Sequence, residues 1–145
     1  KSNHLIKACV DCVLQKRKFI EIYGVDYETE DGSCIRDFIH VSDLISGHLL
    51  AVKHLVNGGN SDICNLGYGN GLSVLEIIER VKKVSKVNYT TKVVGRRNGD
   101  TSRIVADSNK MMNKYNWKPK LDNIDTIILT ALNWEKQKFK KIYET

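Results

Sequence analysis

Hydrophobic residues along this chain recur at two spacings, one typical of amphipathic helices and the other typical of short strands. The helical spacing, with apolar residues three and four positions apart, occurs over 5–16, 42–56, 73–81, 108–115 and from 122 onward. Shorter apolar runs bounded by polar or glycine-bearing segments predict strands over 19–23, 63–66 and 89–94. Because helices and strands alternate, the sequence predicts an α/β fold in which one segment, 1–145, has helices alternating with short strands.

Local signals mark the ends of two of these helices. The segment Asn57-Gly58-Gly59 is typical of a helix end, so the second helix is expected to stop there. Ser73 and Glu76 have the spacing of a capping box, in which each side chain bonds a free amide of the first turn. The glycines within 67–71 are expected to form a tight turn into that helix, although amides at a helix start can also receive an anion.

Arg36 is a charged residue inside an apolar run that follows the polar turn 31–33 and ends at Val41. The apolar members of this run are expected to pack inward, so the guanidinium group needs a partner. Asp37 or Asp43 could satisfy it internally. Alternatively, it could face a cleft and bind an anion such as a phosphate, since its planar fork of donors suits bidentate contacts.

Charge and composition limit the classes of partner. The chain has 23 basic and 17 acidic side chains, and its net charge of +6 raises the question of nucleic-acid binding. Acidic residues accompany most of the basic clusters and no nucleic-acid motif is present, so no nucleic-acid partner is expected. No apolar run approaches the roughly 18 residues that a membrane span requires, so we expect a cytoplasmic protein without a membrane partner.

The four cysteines are expected to be structural. Cys9 and Cys12 have the spacing of a metal-binding pair, but they lie within a helical pattern and no second pair follows. Cys34 and Cys64 are isolated. We therefore interpret all four as small apolar residues in a reducing compartment, and we expect no metal site.

Four blocks of sequence carry a resemblance to a known family. Residues 24–44 read GVDYETEDGSCIRDFIHVSDL, which resembles the GxDYxTxDGTCIRDYIHVxDL signature of UDP-glucose 4-epimerases, members of the extended short-chain dehydrogenase/reductase superfamily. Three further blocks follow in family order: 65–74 resembles NLGxGxGxSV, 96–100 resembles RRxGD, and 117–119 resembles the end of GWxP. The resemblance covers essentially all 145 residues, but only the carboxy-terminal part of the family's length.

The resemblance also implies that a part of the family's fold lies outside this chain. Family members begin with a dinucleotide-binding domain that carries GxxGxxG and later a catalytic serine and a Tyr-xxx-Lys pair. None of these occurs here, and the glycine cluster 67–71 has the wrong spacing and position. We therefore expect the carboxy-terminal substrate-binding part, with the Rossmann core largely absent and NAD bound by an amino-terminal domain missing upstream. Such a piece is expected to expose apolar faces and to associate, as a homo-oligomer or with a complementing amino-terminal polypeptide.

The resemblance assigns nucleotide-binding roles to specific residues. Arg36 and Arg97 match the two arginines that hold the diphosphate of the UDP-sugar, and Asp100 matches the acid that bonds the ribose hydroxyls. Two planar guanidinium groups suit a group that carries about two negative charges. Glu21 and Tyr23 match the positions whose backbone and ring contact the uracil.

Three further positions are implied by the same resemblance. His4 and Leu5 match an Asn-Leu pair that closes over the ligand, and His4 departs from that asparagine. Ile104 matches a position where tyrosine narrows the hexose pocket and smaller residues admit N-acetylated sugars, so both kinds of sugar stay open. No residue of this chain matches a catalytic position, and Asp37 and His40 are interpreted as structural.

The implied function is the NAD-dependent interconversion of UDP-glucose and UDP-galactose in galactose metabolism. In this family, NAD oxidises the sugar at carbon 4 and returns the hydride to the other face of the ketone. This chain would supply the grip on the nucleotide and would be inactive alone. Two alternatives stay open: a non-catalytic remnant that binds a nucleotide, and a part of another nucleotide-sugar epimerase or dehydratase.

Overall fold

The structure is a computed structural model that describes residues 4–143, with side chains as far as residue 138. Its helices are α1 Leu5–Val13, α2 Val41–Val56, α3 Val74–Ser85, α4 Asn109–Tyr115 and α5 Ile124–Tyr143. Its strands are β1 Phe19–Tyr23, β2 Ile35–Asp37, β3 Gly71–Ser73, β4 Thr90–Val94 and β5 Arg103–Ile104. The predicted alternation of helices with short strands is therefore confirmed.

The described strands form two small sheets. Strands β1 and β4 pair in parallel, with Tyr23 opposite Val94 at their carboxyl ends. Strand β2 is the centre of a three-stranded sheet, antiparallel to β3 and parallel to β5, with Arg36 opposite Ile104. The carboxyl ends of parallel strands lie at the same edge of a sheet, so the loops that follow β1 and β4 emerge together.

The hydrophobic core lies where α1, α3 and α5 pack against one another and α1 packs on β1. Its members are Ala8, Cys9, Cys12, Ile20, Ile22, Ile77, Ile78, Val81 and Ile128, each with an exposed fraction of 8% or less. Cys9 and Cys12 are apolar core residues, as the sequence predicted, and burial raises the pKa of the Cys9 thiol to about 11. Among the described residues, no group of three or more His, Cys, Asp or Glu side chains could hold a metal ion.

Helix ends follow the local signals closely. The capping box of α3 is confirmed: Glu76 N–H donates to Ser73 Oγ, and Ser73 N–H donates to Glu76 Oε2. Helix α2 begins at Val41, with His40 as its cap, because His40 Nδ1 accepts from the amide of Ser42.

Two predictions about apolar segments are wrong. The expected strand 63–66 is absent, and β3 forms at 71–73 instead. A strand needs a neighbour for its backbone hydrogen bonds, and no described strand pairs with 63–66, where Ile63 is 87% exposed. Val41 was expected to pack inward but is 61% exposed, because it opens a helix whose apolar face meets little of the described chain. Among the helices of residues 4–143, none combines the length and the hydropathy that a transmembrane span requires.

Candidate functional site

A cavity of about 510 Å³ opens between the start of α1, the strands β1 and β2, and the loop that follows β4. Seven of the eight residues predicted for the site line it: His4, Leu5, Glu21, Tyr23, Arg36, Arg97 and Asp100. Strand pairing explains why they meet. Parallel pairing of β1 with β4 places the loop bearing Arg97 and Asp100 beside the end of β1, and β2 presents Arg36 to the same space.

The partners of Arg36 in the structure differ from the two nearby aspartates that the sequence suggested. Its Nη1 donates to the carbonyl oxygens of Ile35 at 2.8 Å and Thr101 at 3.0 Å, and its Nη2 lies 3.6 Å from Asp100 Oδ1. The guanidinium group is thus oriented by backbone while its side chain stays 25% exposed at the cavity. A guanidinium group has five N–H donors, so this one retains capacity for an anion in the cavity.

Arg97 lies against an aromatic ring. Its guanidinium carbon is 3.6 Å from the centre of the Tyr23 ring, a distance at which cation–π attraction operates. The Tyr23 hydroxyl donates to Glu21 Oε2 at 2.9 Å, so strand β1 fixes both the ring and the carboxylate. The cavity therefore has a cationic side, formed by Arg36 and Arg97, next to an aromatic and acidic end formed by Tyr23 and Glu21.

Arg17 also lines the cavity, and the sequence did not identify it. Its Nη2 lies 3.5 Å from Glu21 Oε2, and its Nε donates to the carbonyl oxygen of Phe19 at 2.9 Å. The only sequence signal is a basic residue just before a strand, and that pattern also describes many solvated side chains.

Asp37 and His40 serve the fold. The Asp37 carboxylate accepts from the backbone amides of Tyr68, Gly69 and Ala106 at 3.1–3.3 Å. His40 caps α2, and its Nε2 lies 3.1 Å from Thr130 Oγ1.

The Asp37 contacts also exclude a dinucleotide from the glycine turn. The amides of Tyr68 and Gly69 already donate to the Asp37 carboxylate, and a side chain at Gly67 would collide with Asp37 Oδ2. A phosphate placed there would lose these donors and meet a negative charge. The residues of this chain therefore do not fit the pyrophosphate of NAD at this turn.

Ile104 lies apart from the other predicted residues. It lines a neighbouring cavity of about 340 Å³ together with Arg36, Asp37, Asn65, Val105 and Ala106. Its side chain is 57% exposed, and Arg36 borders both cavities. The structure thus places Ile104 next to the cationic side of the larger cavity.

Comparison with known proteins shows which proteins this chain resembles in sequence and fold. Residues 1–67 match the model of the NAD dependent epimerase/dehydratase family. The predicted resemblance to UDP-glucose 4-epimerases is confirmed by similarity over nearly the whole chain. The UDP-glucose 4-epimerase of Azospirillum brasilense is 42% identical over 135 residues, which is 93% of this chain and 39% of that protein.

Solved structures give the same result. The UDP-Glc/GlcNAc 4-epimerase of Campylobacter jejuni is 45% identical, with a TM-score of 0.83 over 94% of this chain and 41% of that one. The UDP-glucose 4-epimerase of Bifidobacterium longum, solved in complex with NAD+ and UDP, is 33% identical, with a TM-score of 0.82 over 92% of this chain and 39% of that one. The chain thus spans about two fifths of the length of the relatives that it matches.

Proposed function

We propose that this chain is the carboxy-terminal, nucleotide-sugar-binding part of a UDP-glucose 4-epimerase, which interconverts UDP-glucose and UDP-galactose in the cytoplasm. The observation that carries the proposal is the convergence of Arg36, from strand β2, with Arg97 and Asp100, from the loop after β4, on one cavity. The four sequence blocks and the relatives' names support the same reaction.

The cavity chemistry suits uridine diphosphate. Arg36 and Arg97 present planar donors to the two phosphates, while the Asp100 carboxylate is suited to accept from ribose hydroxyls. Tyr23 and Glu21 stand at the end that would hold the base, and His4 and Leu5 border the same cavity at the start of α1. Binding exchanges the 3.6 Å contact between Arg36 and Asp100 for contacts with the nucleotide. The chain therefore holds the nucleotide and aligns the hexose for chemistry elsewhere.

We assign NAD to an amino-terminal domain outside this chain, because the glycine turn here is occupied by the Asp37 carboxylate. NAD would supply the hydride chemistry, and the residues described here bind and orient. The exposed apolar side chains of α2, Ile45, Leu49 and Val52, are the surface that such a domain would cover, whether supplied on the same polypeptide or by a complementing one.

Titration with uridine diphosphate tests the proposal. Arg36→Ala and Arg97→Ala should each weaken binding about tenfold or more, because each removes charged hydrogen bonds to phosphate. Arg80→Ala is the control, since Arg80 also pairs with an aspartate, Asp125 at 3.7 Å, but lies outside the cavity. If Arg36→Ala and Arg97→Ala bind uridine diphosphate as tightly as Arg80→Ala and the unmodified chain do, the cavity is not the nucleotide site.

The reaction itself should require the other domain. The chain alone is expected to show no epimerisation with NAD, and mixing it with an amino-terminal domain of a relative should restore turnover. Turnover by the chain alone would place the active site within it, whereas nucleotide binding without restorable turnover would favour a non-catalytic remnant.

Ile104 is the residue that we expect to determine which sugar the site accepts. The Campylobacter jejuni relative is named for both UDP-Glc and UDP-GlcNAc, and the exposed Ile104 leaves its cavity open. We propose that Ile104 admits N-acetylated sugars, so that Ile104→Tyr lowers the affinity for UDP-N-acetylglucosamine relative to UDP-glucose. Ile63→Tyr, at an exposed isoleucine outside both cavities, is the control. An unchanged ratio of affinities in Ile104→Tyr would contradict the proposal.

A further inference from the structure

The loop that carries Arg97 and Asp100 is fastened by its other arginine. Arg96 does not line the cavity but turns to the loop that follows β1. Its Nε donates to Asp26 Oδ1 at 2.8 Å, and its Nη2 donates to the Asp26 carbonyl oxygen. One planar fork thus bonds a side chain and the backbone of the same residue, which fixes position more firmly than a single ion pair.

Stacking on an aromatic ring gives the Arg96 guanidinium group a third contact with the loop that follows β1. The guanidinium carbon of Arg96 lies 4.2 Å from the centre of the Tyr27 ring, and Tyr27 is itself only 7% exposed. Gly24 makes room for the arrangement: its φ is +83°, and a Cβ there would lie 2.7 Å from Tyr27 Cε2 and 2.8 Å from Arg96 Cγ. Any other residue at Gly24 would therefore force the Tyr27 ring or the Arg96 side chain to shift.

The two adjacent arginines therefore contact different parts of the protein. Arg97 stacks on Tyr23 inside the cavity, while Arg96 stacks on Tyr27 and pairs with Asp26 outside it. The hydrogen bond from Arg96 lowers the pKa of Asp26, so the pair stays ionised at neutral pH. The contacts of Arg96 therefore hold the loop directly beside Arg97, which would bind the nucleotide.

We propose that Arg96 is a positioning residue, which holds the loop 95–102 against the loop 24–33 so that Arg97 faces the diphosphate and Asp100 the ribose of a bound nucleotide. The proposal deepens the nucleotide-binding function above and rests on it. Its physical basis is preorganisation: a loop already held in its binding conformation loses less entropy when the ligand arrives. Arg96 itself touches neither phosphate nor sugar.

The first test needs no ligand. The amide of Asp100 donates to the carbonyl oxygen of Arg97 at 3.2 Å, so its hydrogen exchange reports the closed state of the loop. Arg96→Ala should speed exchange at this amide severalfold, because the loop opens more often. Arg80→Ala, which breaks an exposed arginine–aspartate pair elsewhere, should leave it unchanged. Unchanged exchange in Arg96→Ala would overturn the proposal.

The second test compares two ligands. Arg96→Ala should weaken binding of uridine diphosphate about fivefold and that of uridine by a smaller factor, because uridine has only the ribose contact with Asp100 to lose and no phosphate for Arg97. Asp26→Asn should have a smaller effect in the same direction, since the amide keeps an acceptor. Equal losses for both ligands would indicate general loosening and would overturn the proposal.

The outcomes separate this inference from the function on which it rests. If Arg97→Ala weakens diphosphate binding and Arg96→Ala does not, the nucleotide site stands and the positioning role falls. If the unmodified chain does not bind uridine diphosphate, both fall together.

Discussion

Two helical regions of this molecule are built on similar apolar patterns but are stabilised in different ways. Helices α1, α3 and α5 bury their apolar faces in one shared core, where Cys9, Ile77 and Ile128 are fully buried. In α2 the buried residues are Asp43 and Gly47, while Leu49 is 63% and Val56 is 79% exposed. An apolar helical stripe therefore does not by itself mean that the face is buried among the described residues.

Polar contacts at its first turns hold α2 in place of apolar burial. The Asp43 carboxylate accepts from the amides of Lys120 and Leu121 and from the Tyr68 hydroxyl, at 2.7–3.1 Å. Trp117, only 2% exposed, donates from Nε1 to the Asp43 carbonyl oxygen and to Ser46 Oγ. One region thus depends on burial of hydrocarbon and the other on a buried carboxylate.

The largest effect is expected in the apolar region. Ile78→Ala removes three carbons from a site that is 1% exposed and leaves a cavity, so unfolding free energy should fall by about 3 kcal/mol. Chemical denaturation measured by circular dichroism checks this value. A loss below about 1 kcal/mol would show that the core is loosely packed.

An intermediate effect is expected at the polar anchor of α2. Asp43→Asn should lower the free energy of unfolding by about 2 kcal/mol at pH 7, because three donors lose a charged acceptor. Burial alone would raise the pKa of Asp43, but the bonds from Tyr68, Leu121 and Lys120 outweigh it and lower the pKa below 3.8.

The pH dependence of this effect has a definite sign. Since the folded pKa lies below the unfolded value, the unfolded chain binds the proton first as the solution is acidified. The contribution of Asp43 is therefore complete above about pH 4 and is lost as the pH falls through the folded pKa. Denaturation from pH 7 to pH 3 should show the wild type and Asp43→Asn converging; a constant gap would contradict the ionised carboxylate.

The smallest effect is expected on the open face of α2. Leu49→Ala should change the unfolding free energy of this chain by less than about 0.5 kcal/mol, because its side chain is largely in water already. Sedimentation at rising concentration provides a second measurement, and Leu49→Glu should reduce any self-association through this face. A cost near that of Ile78→Ala would mean that α2 completes a core within this chain.

The sequence predicted those features that local chemistry determines. Strand β1 has the predicted bounds because its apolar residues alternate, and the capping box of α3 needs only Ser73 and Glu76. The segment 63–66 failed as a strand because strand formation depends on a neighbour that the sequence pattern does not name.

The candidate site was predictable to a similar extent. Arg36 is recognisable as a charge within an apolar run, but its contacts with Thr101 and Asp100 come from a loop far along the chain. Arg17 and Arg96 were missed as contributors, since a basic residue beside a strand or a second arginine in a pair has the same local pattern as a solvated one. Their roles depend on which strands pair.

The pairing of β2 with β5 places Arg36 directly across from Ile104. If the larger cavity holds the phosphates and the smaller one holds the sugar, the residue that binds phosphate and the residue that selects the sugar form one cross-strand pair. A single side-chain replacement at Ile104 could then alter sugar choice without disturbing the grip on phosphate. An insertion of one residue in either strand, by contrast, would shift the pairing register and disrupt phosphate binding and sugar selection together.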